Sequence, residues 1–437
     1  MNDGVDSKLS TRLIAFEILE QVLLKKQPLD HMLERHKSFG LLSSQDRGFT
    51  RMLIATSLRR KGQIDDLIKK SLDQDKPLQP QTLEIILTIG VTQLLFMDVS
   101  DHAAVYETVE LANTLGLSKQ KGLINAVLRR LGAEGKELIK KQDSVQMNMP
   151  HWLLSSWIED YDLKTAAQIA ESSLTEASLD ITVRDESLKL NHAKALEASI
   201  LPTGSLRRSS GGNIVHLPGF DEGQWWVQDA SAALPVQLMG DVSGKHIVDL
   251  CAAPGGKTAQ LAARGAQVSA IDRSAKRLSK LKENMERLGL SSNFETFVSD
   301  GAEWNVSKPI DSILLDAPCS ATGTIRRHPD VMHLKSLQDV ERLQVTQQRL
   351  LAHAADILPP GGLLIYCTCS LQKLESEYQV DVFLAQNSNF SRVPIKPEEL
   401  GGLDTLINEH GDIRVLPFHL APHGGMDGFF ISRLTKA

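Results

Sequence analysis

Two cysteines stand one residue apart where a buried strand is predicted to end. The stretch LLIYCTCSLQ, residues 363–372, begins with an apolar run and places Cys367 and Cys369 at its polar end. A third cysteine, Cys319, lies in LLDAPCSATG, residues 314–323, which follows another apolar run. If the two strands are neighbours in a parallel sheet, the thiols of Cys319 and Cys369 reach the same rim. Thiols in such turns are candidates for nucleophilic catalysis.

Three roles are possible for the four cysteines of the chain, the fourth of which is Cys251. Zinc could take four thiolates, but the paired Cys-x-x-Cys spacing is absent, so we predict no metal site. Inert packing is the usual fate of a free cysteine, although such thiols more naturally lie within a strand than in polar turns. Covalent catalysis by a thiolate is the third possibility, and the residues alone leave it open beside the second.

A glycine turn between a strand and a helix is the second candidate for chemistry. DLCAAPGGKT, residues 249–258, has the Gly-Gly pair that lets a ligand approach the backbone closely. The following helix supplies free N–H groups for an anion. A phosphate-binding loop would need glycine where Cys251 stands, and no dinucleotide fingerprint is present.

Acidic residues end the strands that follow this turn. Asp272, Asp300 and Asp316 each close one of three successive predicted strands. Because parallel strands present their carboxyl ends at one edge, the three side chains are expected to line one rim. Asp272 is suited to bind a ribose diol. A single strand-end aspartate is usually a turn residue, whereas a series beside a glycine turn indicates a ligand site.

The elements that position these residues fall into three predicted domains. Residues 1–140 carry apolar residues at helical spacing and predict a helical bundle. Residues 141–235 predict a small α+β connecting domain with short strands near 179–184, 214–217 and 225–228. Residues 236–437 alternate strands with amphipathic helices, which predicts a parallel α/β sheet. The last two strands, 413–418 and 428–434, have no helix between them and predict an antiparallel addition at the edge.

Composition excludes several classes of protein. The 437 residues are 42% hydrophobic and 23% charged, as in soluble globular proteins. No apolar run has membrane-spanning length and the polar N-terminus lacks a signal-peptide core, so we expect a cytoplasmic protein with reduced thiols and no membrane partner. The net charge is −6, and no segment of the sequence is a basic tail. Any RNA contact would need local patches, for which four clusters are candidates: 59–61, 129–130, 207–208 and 326–327.

The ordered motifs of residues 225–437 resemble those of the Fmu/Sun (Nop/Sun) family of RNA cytosine-5 methyltransferases. The motifs are DLCAAPGGKT, AIDRS, VSDGAEW, LLDAPCSATGTIRRHPD, YCTCS and GGMDGFFISRL. The N-terminal region, including KGLINAVLRRL, residues 121–131, resembles the NusB-like helical RNA-binding domain. The resemblance covers nearly the whole chain and implies a C-terminal Rossmann-like class I methyltransferase domain.

The resemblance also implies S-adenosyl-L-methionine as cofactor. The turn would wrap its methionine and ribose parts with Cys251, Ala252, Ala253, Pro254, Gly255, Gly256 and Lys257. Asp272 would bind the ribose hydroxyls, Asp300 would lie near the adenine, and Asp316 would lie between the cofactor and the target base.

The resemblance assigns different roles to the thiols. Cys369 would attack C6 of the cytosine, which makes C5 able to accept a methyl group. Cys319 would assist release of the product, although in DNA cytosine-5 enzymes the equivalent Pro-Cys thiol is the nucleophile. Lys257 and Arg326 are candidates for the positive charge that favours a thiolate. Cys367, where the family more often has serine, is expected to be a strand-end packing residue out of reach of the chemistry.

The resemblance therefore implies an enzyme that forms 5-methylcytosine in small-subunit (16S) ribosomal RNA, and we expect it to be monomeric, metal-independent and cytoplasmic. A tRNA cytosine-5 methyltransferase is an alternative that the catalytic motifs allow, and only the NusB-like domain favours rRNA. A non-catalytic RNA-binding assembly factor is another alternative, which the cysteine pair and Asp316 disfavour.

Overall fold

The structure is a computed structural model that describes residues 3–72, 78–209 and 212–437, with side chains from residue 11 onward. The chain separates into two compact units. One contains Met1–Ile158 with Arg327–Lys335, and the other contains Glu159–Arg326 with Ser336–Ala437. The connecting region after residue 158 thus belongs to the same unit as the α/β sheet. The three-domain division at residues 140 and 235 stays a prediction.

The first unit is built from helices, as its apolar spacing predicts. Its helices in Met1–Ile158 are α1 (Asp3–Lys25), α2 (Leu29–Arg35), α3 (Lys37–Leu41), α4 (Ser44–Arg59), α5 (Lys61–Leu72), α6 (Gln81–Leu95), α7 (Asp101–Thr114), α8 (Lys121–Lys140), α9 (Ser144–Asn148) and α10 (His151–Asp160), the last of which ends just beyond the unit. Helix α6 is apolar on nearly all sides and is buried along most of its length, so it forms the centre of the bundle.

Helix α8 is longer than its sequence predicts. Helical spacing over residues 119–131 followed by Gly132 predicts a helix that ends at this glycine. That prediction is wrong, because the helix continues through Gly132 and Gly135 to Lys140. A Cβ atom at Gly135 would lie 2.6 Å from Leu95 Cδ1, so this glycine permits close packing of α6 on α8.

The second unit begins with α11 (Leu163–Ser173) and a small antiparallel sheet in the order β2-β3-β1-β4. Its elements are β1 (Leu179–Val183), α12 (Lys189–Ala195), β2 (Ser199–Ile200), β3 (Leu206–Arg208) and β4 (Trp225–Val227). The predicted strand at 214–217 is wrong, since Ile214–His216 form a single 3-10 turn.

The larger sheet has the order β10-β12-β9-β8-β5-β6-β7, with β11 also paired to β12. The strands β5 to β9 are parallel, whereas β12 runs antiparallel to β9. The antiparallel addition is therefore confirmed, although β12 lies inside the sheet. The elements are α13 (Ala230–Gln237), β5 (His246–Leu250), α14 (Gly256–Ala263), β6 (Gln267–Asp272), α15 (Ala275–Arg287), β7 (Phe294–Val298), β8 (Ser312–Asp316), α16 (Val331–Leu334), α17 (Leu337–Ile357), β9 (Leu363–Thr368), α18 (Glu377–Gln386), β10 (Phe390–Arg392), β11 (Ile413–Val415) and β12 (Phe429–Lys436).

The short helix α16 lies in the segment 327–335, which packs in the helical unit although both of its neighbours in sequence belong to the second unit. The Asp330 carboxylate accepts a hydrogen bond from the Leu29 N–H at 2.9 Å. The His333 Nε2 atom lies 2.8 Å from the Leu58 carbonyl oxygen. These contacts make the segment after the Cys319 loop part of the helical core.

No helix in the described ranges is long and apolar enough to cross a membrane. Within the same ranges, no cluster of three or more His, Cys, Asp or Glu side chains has the arrangement of a metal site.

Candidate active site

The carboxyl ends of β8 and β9 bring the predicted catalytic residues together. The two strands are parallel neighbours, and Asp316 is the direct partner of Cys367 in their register. The loops that follow carry Cys319 and Cys369, whose Sγ atoms lie 3.4 Å apart. Both thiols are half-buried. The condition on which the sequence argument depended, that these two strands are neighbours, is met by β8 and β9, and it explains how residues 50 positions apart in sequence meet.

The two cysteine loops are packed backbone against backbone. The Gly323 N–H donates to the Cys369 carbonyl at 2.9 Å, and the Gly428 N–H donates to the Gly323 carbonyl at 2.8 Å. A Cβ atom at Gly323 would lie 2.1 Å from the Gly428 oxygen and 2.8 Å from the Cys369 oxygen. Only glycine fits this position, so the ATGT and MDGFF stretches both help to position Cys369.

Asp316 is held by a buried lysine from the glycine turn. The Lys257 Nζ atom lies 2.7 Å from Asp316 Oδ2 and 5.1 Å from the centre of the Phe429 ring. Burial alone would lower the pKa of Lys257, but the Asp316 carboxylate and the nearby cysteines together outweigh it, and the pKa is raised. Cys369 also acts electrostatically on this lysine. Lys257 therefore supplies the positive charge that was expected beside the thiols.

Arg326 does not share that role. Its side chain is buried, and one guanidinium nitrogen donates to the Gly424 carbonyl at 2.5 Å and to the Glu176 carbonyl at 3.4 Å. Arg326 therefore has a structural role and not the expected role of activating the nucleophile. Its hydrogen bonds connect the loop after Cys319 to the backbone at Glu176 and at Gly424.

Three of the four thiols lie in surroundings that favour the protonated form. Burial, and next the Asp316 carboxylate, raise the pKa of Cys251 to about 12. The same two causes raise the pKa of Cys367 well above its usual range. For Cys319, the hydrogen bond to Cys369 and then burial raise the pKa. Lys257 acts electrostatically on both Cys367 and Cys369.

Cys367 is closer to the chemistry than its sequence position suggests. The expectation that it is out of reach is wrong, because its Sγ atom lies 3.6 Å from Asp316 Oδ1. Side chains two residues apart share one face of a strand, so Cys367 points to the same face as Cys369. It is fully buried and packs in the core beside Leu314 and Ile365, which confirms the packing role.

The glycine turn lies at the carboxyl end of β5, as predicted for a ligand-binding turn. Cys251 has a left-handed backbone with φ of 64°, and Gly255 has φ of 104° at the start of α14. A Cβ atom at Gly255 would lie 2.6 Å from Leu281 Cγ, so glycine is required there for two reasons. Of the remaining turn residues, Pro254 is exposed, Gly256 is half-buried, and two are buried: Ala252 and Ala253.

Asp272 lies beside this turn at the end of β6. Its Oδ1 atom accepts from the Ser274 N–H at 2.9 Å, and its Oδ2 atom accepts from the Ala253 N–H at 3.3 Å. The Arg277 guanidinium is 3.4 Å from Oδ2. Asp300 is exposed two residues beyond β7, where its Oδ1 atom accepts from the Ala302 N–H at 2.9 Å.

Asp249 is a site residue that the sequence reasoning missed. It lies within β5, fully buried, and accepts a hydrogen bond from Thr258 Oγ1 at 2.6 Å on one oxygen, while its other oxygen has no partner among the residues that the structure describes. Burial raises its pKa to about 7. An aspartate inside an otherwise apolar strand, in HIVDL, was the available signal.

The unpartnered oxygen and the turn fit S-adenosylmethionine. A buried acceptor beside the free N–H groups of the α14 N-terminus suits a group with both an ammonium and a carboxylate. Asp272 retains lone pairs for hydroxyl donors, and Asp300 is open to solvent next to it along the rim.

The basic clusters are mostly structural. Arg207 is buried and forms two hydrogen bonds of 2.6 Å to Asp180. Arg59 is also buried, and Lys61 bonds to Asp65 and Glu84. Of the predicted RNA contacts, Arg129 is exposed on α8.

Residues 236–435 match the family described as 16S rRNA methyltransferase RsmB/F, and residues 9–133 match the NusB family. Among curated proteins, ribosomal RNA small subunit methyltransferase B of Cronobacter sakazakii is 35% identical over 446 residues, covering 98% of this chain and 99% of that protein. The protein of the same name from Pseudomonas syringae pv. tomato is 34% identical over 444 residues, covering 98% and 97%.

Among solved structures, PH0851 superposes with a TM-score of 0.75 at 22% identity, covering 97% of this chain and 98% of that one, which shows a shared fold. A methyltransferase homolog protein from Pyrococcus horikoshii superposes with a TM-score of 0.53 at 26% identity, covering 65% of this chain and 94% of that one.

Proposed function

The chain belongs to the family of ribosomal RNA small subunit methyltransferase B, and on this premise we propose that it methylates C5 of a cytosine through a covalent adduct on Cys369. Membership of the family makes the protein an S-adenosylmethionine-dependent methyltransferase of small-subunit ribosomal RNA. The observation that supports the chemical proposal is the convergence of Cys369, Cys319 and Asp316 at one rim.

Cys369 is the proposed nucleophile. Its sulfur electron pair forms a bond to C6 of the cytosine, and the displaced electrons of the C5–C6 double bond make C5 nucleophilic. The sulfonium group of bound S-adenosylmethionine supplies the methyl group. After a base takes the proton from C5, the C5–C6 double bond forms again, and the bond between C6 and the Cys369 sulfur breaks. We propose that Cys319, whose Sγ atom is 3.4 Å away, assists that release.

Asp316 and Lys257 form a charged pair beside the nucleophile. We propose that Asp316 accepts a hydrogen bond from the N4 amino group of cytosine, or bonds N3 when it is protonated. Lys257, 2.7 Å from Asp316, orients that carboxylate and offsets negative charge at Cys369. The target base must leave any helical stack to reach these groups, at a cost of about a few kcal/mol.

The cofactor site is proposed on the turn 251–257 and the acidic rim. Backbone N–H groups at the start of α14 would bind the methionine carboxylate, and Asp249 would bind its ammonium group. Asp272 would bind the ribose hydroxyls, and Asp300 would lie near the adenine.

The helical unit is proposed to bind ribosomal RNA at a groove between α7 and α8, which we call the α7–α8 groove. His102 and Tyr106 lie parallel on α7 with ring centres 6.4 Å apart and an interplanar angle of 4°. The groove has a volume of about 540 Å³ and is also lined by Asn125, Arg129 and Gly132 of α8. Tyr106 is 54% exposed, so its ring is open to a ligand in the groove.

These side chains favour an unpaired RNA base as occupant of the groove. Aromatic faces stack on bases of any sequence, an amide can bond a base edge, and the exposed Arg129 suits the phosphate backbone. A ribosomal RNA substrate is also consistent with the predicted cytoplasmic location.

Bisulfite sequencing of total RNA from cells with and without this protein tests the proposal. We expect one or a few cytosines of 16S rRNA to lose protection when the protein is absent. Loss of protection in a tRNA instead would support the alternative of a tRNA methyltransferase. An unchanged pattern would contradict C5 methylation and favour an assembly role.

A further inference from the structure

One buried carboxylate bonds to the residue that follows each catalytic cysteine. Glu375 has no exposed surface. Its Oε2 atom accepts hydrogen bonds from Ser320 Oγ and Ser370 Oγ, both at 2.5 Å. Its Oε1 atom accepts from the Ser320 N–H at 2.9 Å. Ser320 follows Cys319 and Ser370 follows Cys369, so Glu375 connects the two cysteine loops directly.

Hydrogen bonds alone stabilise this carboxylate. Gln347 on α17 donates to Oε1 at 3.1 Å, and no cation in the described part of the chain pairs with Glu375. Burial raises its pKa, and the hydrogen bonds from Ser320 and Ser370 oppose that rise. A buried carboxylate without a cation is costly, and hydrophobic packing could have joined the two loops without that cost. The negative charge itself therefore calls for an explanation.

The charges around the two thiols differ. The negative charge of Glu375 acts on Cys319 and adds to the causes that raise the pKa of that thiol, after the hydrogen bond to Cys369, burial and the charge of Cys369. The ammonium of Lys257 is coupled electrostatically to Cys367 and Cys369. A like charge disfavours a thiolate, whereas an opposite charge favours it. The two thiols therefore lie near charges of opposite sign, although their sulfur atoms are in contact.

We propose that Glu375 is a positioning residue that holds the two thiols at hydrogen-bond distance and keeps Cys319 as the protonated member of the pair. This inference rests on the proposed function, in which Cys369 attacks the base. In this arrangement the Cys319 S–H is the donor of the hydrogen bond between the two sulfur atoms. During attack the Cys369 electron pair moves into the new bond to C6, and Cys319 keeps its proton.

The test measures each thiol separately in the resting enzyme, without RNA. Glu375→Gln keeps the size of the side chain and removes the charge. Iodoacetamide labelling across pH, read for each cysteine by mass spectrometry, gives the pH midpoint of labelling at Cys319 and Cys369. We expect the Cys319 midpoint to fall by about 1 pH unit, the order of effect of one nearby like charge. We also expect kcat to fall at least tenfold, with the KM for S-adenosylmethionine unchanged.

Matched variants separate positioning from folding. Glu341→Gln, an exposed glutamate on α17, should change neither the labelling profile nor kcat. Glu375→Asp keeps the charge and should restore most of the Cys319 midpoint. If Glu375→Gln fails to fold, as judged by thermal melting, Ser320→Ala and Ser370→Ala each remove one bond to Oε2 and should each lower kcat by a smaller factor.

A folded Glu375→Gln enzyme with an unchanged Cys319 midpoint would overturn the inference, as would equal shifts at every cysteine. Failure of the proposed function gives a different result. If the RNA adduct forms on Cys319 while the labelling midpoint still moves, the roles of the thiols are reversed but Glu375 still sets their difference.

Discussion

The Sγ atoms of Cys319 and Cys369 lie 3.4 Å apart although 50 residues separate them in sequence. Two thiols at this distance compete for the same position beside a base, so mutation of each should have a different result. If Cys369 attacks, Cys369→Ala forms no covalent RNA adduct and transfers no methyl group. Cys319→Ala should methylate once and then remain bound to RNA through denaturing gel electrophoresis with labelled S-adenosylmethionine. A stable adduct from Cys369→Ala and none from Cys319→Ala would reverse the two roles.

Cys367→Ala should affect stability more than catalysis. Its side chain is fully buried, and its loss leaves a small cavity, which we expect to lower the free energy of unfolding by about 1 kcal/mol. The contact with Asp316 is long, at 3.6 Å, so we expect kcat to fall by less than tenfold. Urea unfolding and steady-state kinetics measure the two effects. A loss of activity as complete as that of Cys369→Ala would show that Cys367 takes part in the reaction.

Asp272→Ala should weaken the binding of S-adenosylmethionine by about 1–3 kcal/mol, the usual cost of unmatched polar groups. Asp272→Asn keeps the side-chain volume and should also weaken it, since a charged acceptor bonds hydroxyls more strongly. Isothermal titration calorimetry measures the affinity without RNA. Asp356→Ala, at an exposed position of α17, is the control. Unchanged affinity in both Asp272 variants would remove this residue from the cofactor site.

Filling the α7–α8 groove should reduce affinity for RNA. A Cβ atom at Gly132 would lie 3.6 Å from Asp101 Oδ2, an ordinary contact, so Gly132→Phe can place its ring in the groove. We expect RNA binding to weaken by about 1–3 kcal/mol, the value of one stacked base. Gly122→Phe, on the same helix with no atom within 4 Å of the added Cβ, is the control.

Fluorescence anisotropy with a 16S rRNA fragment at several salt concentrations measures this affinity. Equal RNA affinity of the two glycine variants would contradict a base-binding groove, and loss of binding to a protein partner alone would indicate a protein ligand. Deletion of the N-terminal helices is a less selective test, since residues 327–335 pack in the helical unit and would lose their partners.

Asp249 should make the second unit less stable as pH rises. Its pKa in the folded protein is about 7, above its ordinary value of 3.8, so between these values the folded state binds more protons than the unfolded state. The free energy of unfolding therefore decreases from pH 4 to pH 7, by at most about 4 kcal/mol.

Asp249→Asn cannot bind the extra proton and should show a smaller decrease over the same range. Thermal melting at pH 5 and pH 7.5 compares the two proteins, with Asp356→Asn as the exposed control. Parallel pH profiles of wild type and Asp249→Asn would show that Asp249 titrates alike in the folded and unfolded states.

The amino-acid sequence by itself determined the elements and the order of the motifs. Apolar spacing near 3.6 residues predicts the helical bundle, and alternating strands and helices predict the parallel sheet, because both patterns are local. The positions of Asp272, Asp316, Cys319 and Cys369 at strand ends follow from the same local patterns. One local signal misled: Gly132 predicts the end of α8, but packing keeps the residues beyond it helical.

Only the tertiary structure decided which side chains meet. Lys257 belongs to the turn after β5, yet its ammonium bonds Asp316 of β8, and Glu375 joins the loops after β8 and β9. The sequence made Arg207 a candidate RNA contact, but in the structure this side chain is buried and bonds Asp180. A charged side chain that leaves water must find an opposite charge or hydrogen-bond donors wherever the fold supplies them. Strand order and loop packing determine those partners, and neither has a short-range signature in the sequence.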